Sequence, residues 1–303
     1  MQDYFADIFA AWNRFWFTPR NAKVLSVMRI LVGSMLLYTH LVWTLQLETF
    51  FSDAAILPAD YRSSFSDDHS YLWSHFDWSS SPVWIWGSHI LALIVFAMFT
   101  LGALTRFTSV LAYALVVSYA NRASGTLFGL DQINAFLTLY LAIGNCGAYF
   151  SIDSKFRSAK EQGRGLVSDS AINTISTRLI QIHLCIVYLF AGLGKVQGTT
   201  WWNGQAVWGT LASYEYQTLD LTWLCDYMWL VNLLTYLTVA WEVSYAFLVW
   251  PKMTRPIVLA MGVIVHLAIG LGMGMLTFGL IMLYANVAFV KPQWLESLSS
   301  KKE

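Results

Sequence analysis

Eight apolar runs punctuate the chain, at roughly 24–47, 83–104, 107–121, 131–149, 174–195, 227–250, 256–272 and 275–290. Each approaches the ~20 mostly apolar residues that a helix needs to cross bilayer hydrocarbon, the third and the last two being short. Only "GLGMGM" separates the last pair. Its glycines predict a tight helix hairpin rather than a phosphate loop, because no strand precedes them. All six prolines, at 19, 58, 82, 251, 256 and 292, fall outside the run interiors or at their ends, where a missing N–H does least harm to a helix.

Ahead of the first run, "MQDYFADIFAAWNRFWFTP" spaces Phe5, Phe9, Trp12 and Trp16 by four, three and four residues, which puts them on one helical face. The stretch opens with acids rather than bases. It predicts a helix lying in the membrane interface, not a cleavable signal. The pattern predicts an all-α, polytopic membrane helical bundle of about eight transmembrane helices. Residues 1–23 form the interfacial helix, 24–291 the membrane domain and 292–303 a short tail.

Composition agrees. Of 303 residues, 57% are hydrophobic and 12% charged, too apolar for a soluble domain of this length. The 18 basic and 18 acidic residues cancel, so no overall field argues for a nucleic-acid partner. Their placement says more. With the N-terminus in the cytoplasm, fifteen of the 18 lysines and arginines fall inside, and only Arg62, Arg122 and Lys195 outside. That asymmetry predicts both termini on the cytoplasmic side. The outer side then holds an acidic, aromatic loop from Glu48 to Ser81, with Asp67, Asp68, His69, His75 and Asp77, readable as a cap over a cavity or as a solvated connector. Cys146, Cys185 and Cys225 lack metal-type spacing, and two of them fall in apolar runs as small hydrophobes.

An ionisable side chain in lipid is costly unless it meets a partner or water. Arg29 and Arg106, at predicted cytoplasmic ends, are expected to snorkel to phosphates. Arg122 and Asp131 flank "NRASGTLFGLD" and read equally as a structural ion pair or as lining a site. Glu242, deep in "VAWEVSYAFLVW", must find a cation or a proton; the inner arginines are the expected source. Gln181 and His183 stand two residues apart, so one of them need face the bundle. Trp201, Trp202 and Trp208 suit the headgroup region. His266, near the middle of its run, reads as an interhelical hydrogen bonder or as a site residue. Lys195 ends the fifth run in "YLFAGLGKVQGTTWW". It reads either as a snorkelling lysine or as an amine held in a partly dry cavity, where desolvation supplies a neutral base. "AGLG" lets a backbone or a ligand come close.

These residues resemble the HTTM (horizontally transferred transmembrane domain) family, which includes the membrane part of vitamin K-dependent gamma-glutamyl carboxylase. The resemblance runs from about Trp12 to Lys291. It is carried by "VMRILVGSMLLY", "LGALTRFTSVLAY", "YFSID", "YLFAGLGK" followed by a tryptophan and Gly204, and "WEVSYAFLVWPKMTRP" leading to His266 and "MGM". The Y-x-x-A-G-x-x-K segment is the most specific. By resemblance, Lys195 matches the base that starts oxygenation of vitamin K hydroquinone, the oxidation that drives proton removal from a glutamate and addition of carbon dioxide. His266 matches a histidine lining the same chamber. Two departures stand: Ala148 occupies the place of a histidine before the family's "YWS" segment, and the carboxylase's large substrate-binding part is expected to have no counterpart after Lys291.

The resemblance implies an integral protein of the bacterial cytoplasmic membrane, a quinol-dependent carboxylase-like enzyme or oxidoreductase. Its catalytic residues would be Lys195 and His266, its cofactor a reduced quinone such as menaquinol or vitamin K hydroquinone, and its partners the bilayer and a quinone or lipid ligand. Arg122, Asp131, Gln181, His183, Trp202 and Glu242 are the further cavity or structural polar residues. A second reading is a non-enzymatic membrane protein assisting maturation, export or immunity of a peptide. A third, a small-molecule transporter, draws on Glu242 and His266, against the lack of duplicated halves with broken helices.

Overall fold

The computed structural model describes residues 2–53, 55–56, 58, 73–160 and 169–291. Asp67, Asp68 and His69 of the outer loop and the 292–303 tail lie outside the described residues. The helices are α1 (Gln2–Phe17), α2 (Lys23–Thr44), α3 (Leu47–Phe51), α4 (Pro82–Leu101), α5 (Thr105–Arg122), α6 (Gly129–Ile143), α7 (Ile152–Lys160), α8 (Ala171–Val196), α9 (Thr199–Trp202), α10 (Ala206–Leu211), α11 (Met228–Leu248), α12 (Arg255–Gly272) and α13 (Leu276–Asn286). Among the described residues there is no strand, only an isolated bridge between Arg20 and Ser170. Each of the eight apolar runs is helical. By length and composition, α2, α4, α8 and α12 qualify as membrane spans. Pro82 and Pro256 occupy first helical turns, where no intrahelical donor is lost.

The chain divides into two compact units, Met1–Arg178 with Lys291–Glu303, and Leu179–Val290. In the first unit α2 packs against α4 at Gly33, where a Cβ would come within 2.6 Å of Thr100 Oγ1. The fourth apolar run ends six residues earlier than its hydrophobicity predicts. Gly144 lies against Leu25 and Ser176, and Gly147 against Thr105, so the chain turns where a helix with side chains would collide.

Arg29 organises that turn, which corrects the expected snorkelling. It is fully buried, and its guanidinium donates to the carbonyl oxygens of Cys146 at 2.9 Å, Tyr149 at 3.4 Å and Phe150 at 2.5 Å. A rigid fork of donors suits three convergent carbonyls freed by the end of α6. The Asp153 carboxylate accepts from Leu104 N, Thr105 N and Thr105 Oγ1 at 2.9, 2.7 and 2.7 Å, satisfying orphan donors at the start of α5. Leu104 and Phe150, both at this junction, are the described non-glycine residues with left-handed backbone, φ 47° and 51°; their strain is held by the bonds around them. Three of the segments that carry the resemblance, "VMRILVGSMLLY", "LGALTRFTSVLAY" and "YFSID", thus meet in one structural junction. Arg106 stays exposed, with its guanidinium 3.4 Å from the Ile143 carbonyl. In α1, Phe5, Phe9 and Trp12 are exposed, while Trp16 is half-buried and lies 5.8 Å from the Trp12 ring.

In the second unit α11 runs antiparallel to the chain segment from Tyr188 to Gly204. Tyr188 meets Trp241 and Tyr245, and Gly192 meets Glu242 and Val243. Further on, the Trp202 carbonyl accepts from Tyr236 Oη, and the Gly204 carbonyl from Thr235 Oγ1. Gly204 has φ +77°, a conformation glycine adopts without penalty. Lys195 lies in the last turn of α8, and Glu242, on the facing helix, is 14 residues beyond Met228, about 21 Å along α11 at the α-helical rise. α12 and α13 form the expected hairpin, turning at Gly274 with φ +68°. Gly279 of α13 presses on the His266 carbonyl so closely that no side chain would fit.

Candidate functional site

Tyr188, Ala191, Gly192 and Lys195 stand at i, i+3, i+4 and i+7 of α8, one stripe of a helix. Opposite them α11 presents Trp241, Glu242 and Tyr245. Gly192 permits contact between the helices: a Cβ there would come within 2.7 Å of Val243 Cγ2 and 3.0 Å of Val243 N. One turn on, Lys195 Nζ lies 2.9 Å from Glu242 Oε1 and 2.8 Å from Oε2. This corrects the expectation that an inner arginine neutralises Glu242: the antiparallel register brings Lys195 to it first. The side chains are 27% and 10% exposed, so the pair is neither dry nor free in solvent. The ammonium also lies 5.4 Å from the Trp201 ring centroid, within cation–π range.

The same unit holds a chain of buried polar groups. Tyr188 Oη lies 2.6 Å from His266 Nε2. Asn286 Nδ2 donates to Tyr188 Oη at 3.0 Å and to the Met282 carbonyl at 2.8 Å, while Tyr245 Oη donates to Asn286 Oδ1 at 2.6 Å. The Trp241 ring lies 4.9 Å from Tyr188 and 6.1 Å from His266, and Phe278 closes a further side of the histidine at 6.1 Å. His266 Nδ1 is buried with no hydrogen-bond partner among the described residues.

The remaining predicted residues separate. Gln181 is buried and donates to the Ala288 carbonyl at 2.7 Å, whereas His183 is half-buried on α8. Trp202 is exposed, its indole N–H donating to the Val196 carbonyl at 2.6 Å. Arg122 is buried and donates to the Ser52 carbonyl at 2.5 Å. Asp131 accepts from Phe128 N at 3.0 Å and lines a cavity of about 20 Å³ with His40, Tyr119 and Asn134, room for a water. The ion pair weighed for Arg122 and Asp131 is not formed among the described contacts, because Asp131 serves the start of α6 instead.

The first unit also gathers three buried histidines around Tyr119. His89 Nδ1 is 2.7 Å from Tyr119 Oη and its Nε2 2.8 Å from Thr44 Oγ1. The His40 ring stands 4.5 Å from that of Tyr119. His75 Nδ1 is 2.5 Å from Ser118 Oγ. At the described end of the outer loop Ser74, His75 and Phe76 are thus docked while Trp73, Asp77 and Trp78 stay exposed, and burial pushes the His75 imidazole down to about 4. His89, Asn286 and Tyr245 escaped sequence reasoning. A signal existed for the first two: each is a polar residue inside an apolar run, the same mark that singled out Glu242.

The HTTM domain model matches residues 17–294. No curated protein and no solved structure matches the chain. The family match spans both the Arg29 junction and the Lys195 stripe. The chain belongs to the HTTM family, membrane proteins related to the membrane domain of vitamin K-dependent carboxylase.

Proposed function

We propose that this protein is a multi-pass enzyme of the bacterial cytoplasmic membrane, with eight spans and both ends cytoplasmic, that removes a proton from a reduced quinone using Lys195. The coincidence of eight helices with eight apolar runs and the fifteen-to-three basic asymmetry support the topology. The observation that carries the chemistry is the half-sheltered Lys195–Glu242 contact, in the same helical unit as a histidine whose Nδ1 has no hydrogen-bond partner among the described residues. That orphaned atom fits a ligand bearing oxygen, and the aromatic rings of Trp241 and Phe278 fit a flat ring.

A reduced quinone, when bound, supplies an acidic hydroxyl and two electrons. Lys195 must present a lone pair to take that proton. As an ammonium it has none, but Glu242 offers a nearby acceptor. Moving one proton from Nζ to a carboxylate oxygen turns two ions into two neutral groups, a step that falling polarity favours because each ion sheds its desolvation cost. The amine then accepts the substrate proton at Nζ and becomes an ammonium again. Glu242 is thereby the positioning partner that holds the lysine and stores its proton.

The direct test is oxygen uptake and quinol oxidation by the protein in nanodiscs with reduced menaquinone-4. Lys195→Met is expected to lower turnover at least about 100-fold, the usual scale for a proton-transfer group. Equal turnover in wild type and variant, or none in either, overturns the proposal.

A further inference from the structure

The hydrogen-bond chain in the second unit has a direction, and that direction reaches the ligand side of His266. A backbone carbonyl only accepts, so the Met282 oxygen fixes which end of the Asn286 amide is nitrogen. That nitrogen also donates to Tyr188 Oη, and the amide oxygen accepts from Tyr245. Having accepted from Asn286, Tyr188 has its own proton to give, and the atom 2.6 Å away is His266 Nε2. Nε2 is then an acceptor, and the single proton of a neutral imidazole sits on Nδ1. The result is a buried N–H donor without a partner among the described residues, in a histidine only 4% exposed. An unmet buried donor costs free energy that a bound acceptor recovers.

We propose that His266 offers Nδ1–H to a bound ligand, and that Tyr188, Asn286 and Tyr245 are positioning residues that hold this tautomer. The admitted ligand class is a flat aromatic ring bearing an acceptor oxygen, such as a quinone carbonyl, among Tyr188, Trp241 and Phe278. The inference rests on the reading that His266 borders the ligand, but it assigns polarity and three residues that the lysine chemistry does not require. Asn286→Asp reverses the chain. A carboxylate only accepts, so Tyr188 would give its proton to the introduced carboxylate and accept from His266 Nε2–H, stripping Nδ1 of its proton.

The test uses the full chain in nanodiscs with ¹⁵N-labelled histidine, the His266 signals assigned with His266→Gln. Wild type is expected to carry its proton on Nδ1, and oxidised menaquinone-4, which has acceptor oxygens only, is expected to shift that signal. Asn286→Asp is expected to move the proton to Nε2 and weaken menaquinone-4 binding about tenfold, the scale of one hydrogen bond. Tyr188→Phe, which only deletes the hydroxyl, is expected to give mixed tautomers and an intermediate affinity; it carries the test if Asn286→Asp does not fold. A wild-type proton on Nε2, or menaquinone-4 binding unchanged in the folded variants or absent in wild type, overturns the inference. These readouts need no turnover, so a correct tautomer and quinone response in an inactive protein would sink only the enzymatic proposal.

Discussion

Gly192 and Val243 stand so close that a single added methyl would come within 3.0 Å of the Val243 backbone nitrogen, and this approach sets Lys195 against Glu242 one turn later. Two glycines of "AGLG" can therefore be told apart. A Cβ on Gly194 would meet nothing within 4 Å. Helix propensity favours alanine over glycine by about 1 kcal/mol at either site. Gly194→Ala is expected to be neutral or slightly stabilising, and Gly192→Ala to destabilise by about 1–3 kcal/mol through overpacking. Thermal unfolding in detergent distinguishes them; equal shifts would dissociate the glycine from the helix contact.

Breaking the ion pair from one side leaves a charge without its partner. Lys195→Met and Glu242→Leu are each expected to cost about 1–3 kcal/mol, between the values for exposed and fully buried pairs because the lysine remains partly solvated. The double variant is expected to cost less than the sum. A double-mutant cycle in unfolding free energy measures the coupling; strict additivity would mean that the two groups do not interact.

The outer loop should respond to acid through His75. Its imidazole is held near 4 by burial, against an ordinary 6.5. The unfolded chain therefore binds the proton first, and stability present above 6.5 is lost as pH falls toward 4. The ceiling is about 3.4 kcal/mol, from about two and a half pH units at 1.36 kcal/mol each, and solvent screening lowers it. Unfolding midpoints measured from pH 7.5 to 4 are expected to fall less steeply in His75→Phe. Parallel profiles would locate the acid sensitivity elsewhere.

Asp153 is expected to matter to structure alone. Asp153→Ala removes three hydrogen bonds, two of them from backbone amides at the start of α5. The cost should be about 1–3 kcal/mol, the range for a lost cap and its orphaned donors. Menaquinone-4 binding by the folded variant should stay within about twofold of wild type, since the residue lies outside the proposed ligand site. A selective loss of binding with normal unfolding would assign Asp153 a functional part.

Helix positions were legible because each apolar run is long compared with the local signals that end it. The exception is instructive. The run to residue 149 reads as one helix by hydrophobicity, yet Gly144 and Gly147 are used for close approach by Leu25, Ser176 and Thr105, partners distant in sequence. Likewise Arg29 carries the same charge whether it reaches lipid phosphate or three carbonyls. Periodicity places its Cα and leaves its partners undetermined.

The chain by itself determined that eight apolar helices form, that prolines bound them, and that Tyr188, Gly192 and Lys195 share one face, because these follow from local geometry and transfer free energy. Only the tertiary structure decided that Glu242 meets Lys195 rather than an arginine, and that Asn286 and Tyr188 dictate which nitrogen of His266 holds a proton. Pairing between helices depends on register and close approach, and those arise from packing that no single segment encodes.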